Sequence, residues 1–189
     1  MNITKKAAVL ALTIISAPAL SNDGFYIGAE ASINNNVEFK PSTGALSGDS
    51  ALGFNVNAGY EFHLSTPFTL GVEASYHKLG EATIDLAPGI EGKSDVSALF
   101  INVKPKYYVG DTGLYVAGTI GAGQVDATLE GVGGKGTGYQ YGVETGYAFS
   151  ENVSVGLGYR VLTTSVSDDQ HGDIDVSSNG FYIGTQYKF

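Results

Sequence analysis

The stretch "LGFNVNAGYEFH", residues 52–63, alternates strictly. Leu52, Phe54, Val56, Ala58, Tyr60 and Phe62 fall on one face, and Gly53, Asn55, Asn57, Gly59, Glu61 and His63 on the other. A period of two is the signature of a β-strand with one apolar and one polar side, and it excludes a helix over the same residues. "FTLGVEASYHK", "TGYQYGVETGYAF" and "VSVGLGYRV" read the same way. Eight such segments are predicted, at about 24–34, 51–63, 67–78, 95–109, 113–126, 136–149, 152–165 and 178–189. Each is about ten residues or longer, the length a tilted strand needs to cross a bilayer. The fourth segment turns Leu99, Ile101, Val103, Pro105 and Tyr107 outward and Asn102, Lys104 and Lys106 inward, with Phe100 and Val96 on the inner side near one end. The fifth is Gly-rich, and its faces are weakly marked.

The connections alternate in length. "LSTP", "GDTG" and "SE" are short turns, whereas 35–50, 79–94, 127–135 and 166–177 are long and hold much of the acid. Short turns at one end and long loops at the other are the pattern of an outer-membrane barrel, with the turns and both termini periplasmic and the loops extracellular. The N-terminal residues agree with export. Residues 1–21, "MNITKKAAVLALTIISAPALS", join a basic opening at Lys5 and Lys6 to a short apolar run and small residues near Ser21, the layout of a secretory signal. Residues 22–189 then form one barrel domain. The chain has no cysteine, so export is not serving a disulfide framework. Its formal charge of −9 grows more negative once Lys5 and Lys6 leave, which argues against a nucleic-acid partner.

"GFYIG" occurs twice, at residues 24–28 and 180–184. In an even-stranded barrel the first and last strands pair and close the sheet, leaving no free edge. Both copies turn Phe and Ile outward (Phe25, Ile27; Phe181, Ile183) and Tyr and Gly inward (Tyr26, Gly28; Tyr182, Gly184). The repeat fits two strands meeting lipid outside and a narrow lumen inside; chance similarity of two aromatic strands would give the same identity.

The eight segments, the leader and the ending "YIGTQYKF" resemble the small eight-stranded outer-membrane barrels of Gram-negative bacteria, the superfamily of the OmpA transmembrane domain, the OmpX/Ail-type proteins and the opacity-like surface proteins. The resemblance covers residues 22–189 and rests on pattern. It implies an all-β, transmembrane, antiparallel up-and-down eight-stranded barrel in the cell outer membrane, in contact with outer-membrane lipid and lipopolysaccharide. The final Phe189, with Tyr187 two before it, resembles the C-terminal signal read by the barrel-assembly machinery. No domain is expected after Phe189, so peptidoglycan anchoring is not implied. The aromatics Phe25, Tyr60, Phe62, Tyr107, Tyr147, Phe149, Tyr187 and Phe189 are the candidate membrane girdle.

Inward positions carry Glu30, Glu61, Glu73, Lys104, Lys106, Glu144, Arg160 and Lys188. Eight strands enclose a lumen just wide enough to be filled by side chains, and charges placed there must pair. Arg160, the one arginine, sits on the segment beside that of Glu144, and Glu73 on the segment beside that of Lys104. In OmpA-like barrels a Glu, Lys, Glu, Arg set on strands three, four, six and seven forms a lumen gate. Glu73, Lys104, Glu144 and Arg160 fall on those strands in that order, so the resemblance implies a similar network. Such a set acts either as a switchable plug with rare conductance or as a polar core that neutralises itself.

Catalysis has little support. The lipid A deacylases, a related barrel family, use a His-x-Ser element facing the outer leaflet, and the one match here, His63-Leu64-Ser65, falls at a short turn on the opposite end. His77 has no serine arrangement in the sequence pattern around it. The run "SVSDDQHGDIDVSS" clusters Asp168, Asp169, His171, Asp173 and Asp175 but lacks the closing glutamate of a calcium loop, and reads as a solvated acidic loop. No metal or cofactor is expected. Lys40, Lys78, Lys93 and Lys135 near the outer rim suit either lipopolysaccharide phosphate or plain solvation. The sequence therefore predicts a non-enzymatic surface protein that supports membrane integrity, with extracellular loops that bind host or surface ligands. A narrow gated channel is the alternative, and a lipid A-modifying enzyme the remote third.

Overall fold

A computed structural model describes residues 23–40, 46–50, 52–87, 90–129, 132–168 and 172–189. The segment 1–21 assigned to a leader lies outside them. Among the described residues nine β-strands run β1 (Gly24–Lys40), β2 (Leu46–Ser50), β3 (Gly53–Ser65), β4 (Phe68–Ala87), β5 (Ile90–Tyr108), β6 (Leu114–Leu129), β7 (Val132–Ala148), β8 (Val153–Asp168) and β9 (Gly172–Lys188). β2 and β3 pair with β1 in one unbroken register, Asn35 opposite Ser50 and Gly24 opposite Glu61, so the two form a single stave. Eight antiparallel staves result, each bonded to its sequence neighbour, and β1 closes on β9. Closure satisfies every edge, which is what a sheet in lipid requires. Among the described residues no helix is long and apolar enough to cross a membrane; strands make the crossing.

Alternation sets the two faces. Outward positions on β7 run Tyr139, Tyr141, Val143, Thr145 and Tyr147, with Phe149 just beyond, all exposed. At about 3.3 Å per residue and a tilt near 40°, Tyr139 to Phe149 spans about 25 Å, the height of the apolar band of such barrels. Near the short turns the outward aromatics form an edge-to-face and tilted-ring belt: Phe25–Tyr60, Tyr60–Phe62, Phe68–Tyr107, Tyr147–Phe149 and Tyr187–Phe189. Phe25, Tyr60, Phe62, Tyr107, Tyr147, Phe149, Tyr187 and Phe189 take part in these ring contacts, together with Phe68.

The strands are longer than the alternation predicts. β4 and β5 stay paired to Ala87 and Ile90, β6 and β7 to Leu129 and Val132, and β8 and β9 to Asp168 and Gly172. The connections expected as loops are therefore mostly ladder, and the long ends of the barrel are hairpins. Above an apolar band both faces of a sheet meet water, so the backbone keeps pairing while the side-chain signal disappears. In the wall, the β5–β6 ladder is in register at Val103–Ile120 and again at Lys106–Ala117, and is interrupted between them at Pro105, which has no N–H to give.

The two GFYIG copies sit at different heights. On the β1–β9 seam, Ile27 faces Tyr187 while Ile183 faces Ala31. Phe25, Ile27, Phe181 and Ile183 are exposed, and Tyr26 and Tyr182 are each only 2 % exposed inside.

Candidate functional site

β5 alone displays the whole lumen. From the hairpin end towards the turn end its inward side chains are Val96, Ala98, Phe100, Asn102, Lys104 and Lys106, all buried. Apolar residues come first, then an amide, then two cations.

At the turn end Glu61 takes Lys106 Nζ at 2.7 Å and Lys188 Nζ at 3.2 Å, one on each carboxylate oxygen. Both partners reach over an intervening strand, β4 or β1. Lys106 also lies over the Tyr115 ring, 4.8 Å from its centroid. Above this, Glu144 accepts from Lys104 Nζ, Tyr115 Oη and Tyr182 Oη, each at 2.9 Å. Glu73 accepts from Tyr26 Oη at 2.8 Å and Asn102 Nδ2 at 3.1 Å, and Gln140 Nε2 donates to Asn102 Oδ1. Nearer the hairpin end Glu30 accepts from Arg160 at 2.7 Å, Asn55 at 2.9 Å and Asn57 at 3.3 Å. The Arg160 guanidinium stacks over the Tyr182 ring at 4.2 Å.

The structure thus sets Glu73, Lys104, Glu144 and Arg160 inside the lumen but pairs them differently from the neighbour-strand expectation. Arg160 bonds Glu30, not Glu144. The reason is steric: Tyr182 lies across Gly158, the residue facing Glu144 on β8, and takes a Glu144 oxygen. Arg160 is turned over that ring towards β1. Glu73 likewise stands opposite Asn102, while Lys104 stands opposite Gly71, so Lys104 is free to cross β6 to Glu144. The alternation turned Asn102 and Gln140 inward but left them, and Tyr115, without a part in the network. The available signal was a tyrosine or amide on a polar strand face opposite glycine on the next strand.

What can this site do chemically? Ser75 Oγ lies 3.0 Å from His77 Nε2, which looks like a nucleophile and its base. The far ring nitrogen rules that out. His77 Nδ1 faces Arg160 NH1 at 3.4 Å, and a guanidinium only donates. Nδ1 must accept, so Nε2 carries the hydrogen and donates to Ser75 Oγ. Asn102 Nδ2 also donates to that oxygen, at 2.8 Å. His77 therefore cannot take a proton from Ser75, as a catalytic dyad requires. His63 and Ser65 lie exposed at the β3–β4 turn, separated by a register shift. The side chains of Lys40, Lys93, Asp168, Asp169, His171, Asp173 and Asp175 lie outside the described residues. Lys135 is exposed and pairs with Asp126 at 3.0 Å. Among the described residues no group of three or more His, Asp or Glu is placed to hold a metal ion.

Among the described residues, one space of about 20 Å³ lies beside Lys104 and Glu144 and another beside Arg160 and His77. Each has room for about one water. At the turn end a wider basin of about 370 Å³ opens over Glu61, Thr69, Tyr108 and Lys188.

The outer membrane protein beta-barrel domain family matches residues 7–189. The chain belongs to this family. As an outer-membrane barrel it resembles solved structures across nearly its whole length. Neisserial surface protein A is 22% identical, with a TM-score of 0.54 over 89% of this chain and 98% of that one. Ail, the attachment invasion locus protein of Yersinia pestis, is 17% identical, with a TM-score of 0.51 over 88% and 99%. The outer membrane protease OmpT of Escherichia coli is 11% identical, with a TM-score of 0.50 over 92% and 99%. At these identities the likeness is one of fold. A comparison with curated proteins finds no match.

Proposed function

We propose that this outer-membrane barrel is a non-enzymatic surface protein whose hairpins bind a ligand outside the cell. The carrying observation is the length of the paired wall beyond the apolar band: β4 runs on from Lys78 to Ala87 and β5 begins at Ile90, although the band needs neither segment. Rigid scaffolds usually hold binding surfaces on such projections. The reading sets the turns and both termini in the periplasm and the hairpins outside, with residues 1–21 as the leader. Lipid and lipopolysaccharide meet the outer wall, and the assembly machinery reads Tyr187 and Phe189. A lumen filled by buried side chains favours this reading over conduction, and the Ser75–His77–Arg160 arrangement favours it over hydrolysis. Neisserial surface protein A and Ail, named for surface exposure and for attachment, are compatible with it.

The test compares cells displaying the intact protein with cells displaying a version whose segments 35–50, 79–94, 127–135 and 166–177 are replaced by short turns. Heat-modifiable gel mobility matches the folded amounts. Adherence to host cells or matrix is expected to fall to the background of non-displaying cells in the shortened version. Equal adherence of both versions would remove the proposal.

A further inference from the structure

Val96, Ala98, Phe100, Val125 and Leu162 form one buried apolar cluster inside the lumen, on the hairpin side of the charge network. It is contributed by β5, β6 and β8. Phe100 and Val125 are completely buried. The Phe100 ring meets His77 edge-on, with centroids 5.6 Å apart. Opposite it the wall is reduced to backbone at Gly123 and Gly138; a Cβ at Gly138 would come within 3.2 Å of Phe100 Cζ. The glycines let a full phenyl ring lie across a barrel this narrow.

We propose that the barrel interior is a blind cup, sealed at the hairpin end by this apolar plug, and that the plug rather than the charge network is the barrier to water and ions. A water needs two to four polar partners to enter a protein interior, and an ion needs more. The cluster offers none from its side chains. Beneath it the interior is lined mainly by polar groups, from Asn102 and Gln140 to Glu61, with a water-sized space beside Glu144; a second such space, beside Arg160 and His77, is bordered by Leu162 of the plug itself. At the turn end the 370 Å³ basin opens onto Glu61 and Lys188. Hydration therefore has a polar path from the turn end as far as Asn102; at the height of Phe100 the buried polar side chains Ser75, His77 and Thr164 are taken by protein partners, and Ser178 stands beside Leu162. This goes beyond the surface-binding function above and stands whichever ligand the hairpins take.

The test is passive proton flux into liposomes carrying an internal pH dye, with the full barrel reconstituted. Phe100→Ala is expected to raise flux at least about tenfold over wild type, since a water chain can then thread the plug, whereas Phe100→Leu stays within about twofold because apolar volume is kept. The double change Lys104→Met with Glu144→Gln, which removes one ion pair of the network as a unit, is expected to leave flux at the wild-type level. Heat-modifiable mobility shows that each variant is folded. If Phe100→Ala does not fold, Leu162→Ser at the same cluster carries the same expectation. Flux that stays at the wild-type level in the plug variant, or that rises as far in the network variant as in the plug variant, would overturn the proposal.

Discussion

Tyr26, Gly59 and Glu73 lie on one rung across β1, β3 and β4, and Tyr182, Gly158 and Glu144 on one rung across β9, β8 and β7. In both, a tyrosine ring lies flat over a glycine and its hydroxyl reaches the carboxylate one strand further on. A Cβ at Gly59 would stand 2.9 Å from Tyr26 Cζ, and one at Gly158 would stand 2.6 Å from Tyr182 Cε1, so neither position admits a side chain while the ring stays. This explains what the doubled GFYIG supplies: each copy provides one such tyrosine. Tyr182→Phe keeps the ring and loses one hydrogen bond to a charged group, which should cost about 2 kcal/mol. Gly158→Val must expel the ring and lose the same bond, and should cost about 3 kcal/mol or more. Denaturant titration of the protein in lipid vesicles measures both, and equal effects would show that the ring's position over the glycine is unimportant. The inward position of these residues was legible from period two. Their partners were not, because the strongest contacts skip a strand. Arg160 reaches Glu30 from β8 to β1, and that depends on barrel closure and strand stagger, which a residue pattern does not carry.

Each strand has two regimes, one in the apolar band and one beyond it. Within the band the outward side chains meet lipid and must be apolar; past it they meet water, and the backbone ladder alone holds the wall together. β7 contains both. Val143, outward at mid-band, is 65 % exposed. Thr137, outward nearer the hairpin end, lies past Tyr139. Val143→Lys should cost about 2–4 kcal/mol and Thr137→Lys about 0–1 kcal/mol, the depth dependence expected of a lipid-facing charge. Unfolding midpoints in bilayers check the difference, and equal costs would put the band at the wrong height. The same division explains why the sequence showed eight strands but underestimated their length. Residues 51–63 and 136–149 alternate because lipid imposes alternation. Residues 79–87 and 90–95 are paired as a ribbon, but no alternation is sustained across both, so their order does not distinguish that ribbon from a loop. The outward aromatics near the turns were legible from the alternation, and Phe68, placed opposite Tyr107, adds a ring contact on β4.

At the scale of the molecule, the staves are joined in a ring. Phe189 N donates to Phe25 O at 2.8 Å, so the two ends of the barrel chain touch at the turn end, and the β1–β9 seam runs from Tyr26–Lys188 to Lys40–Asp175. A ring of antiparallel strands has no preferred starting strand. Joining Phe189 to Asp23 through about four glycines and opening the chain between Ser150 and Glu151, an exposed turn, would leave every ladder in place. Such a circular permutant should refold in vitro with the same heat-modifiable mobility as the parent. In cells the same permutant would end on Ser150 instead of Phe189, and its yield of assembled barrel should fall sharply. Loss of folding in both settings would mean that chain order matters to the fold itself. Folding in vitro with failure in cells would mean that the information for the shape is cyclic, while the address for delivery is written at one end.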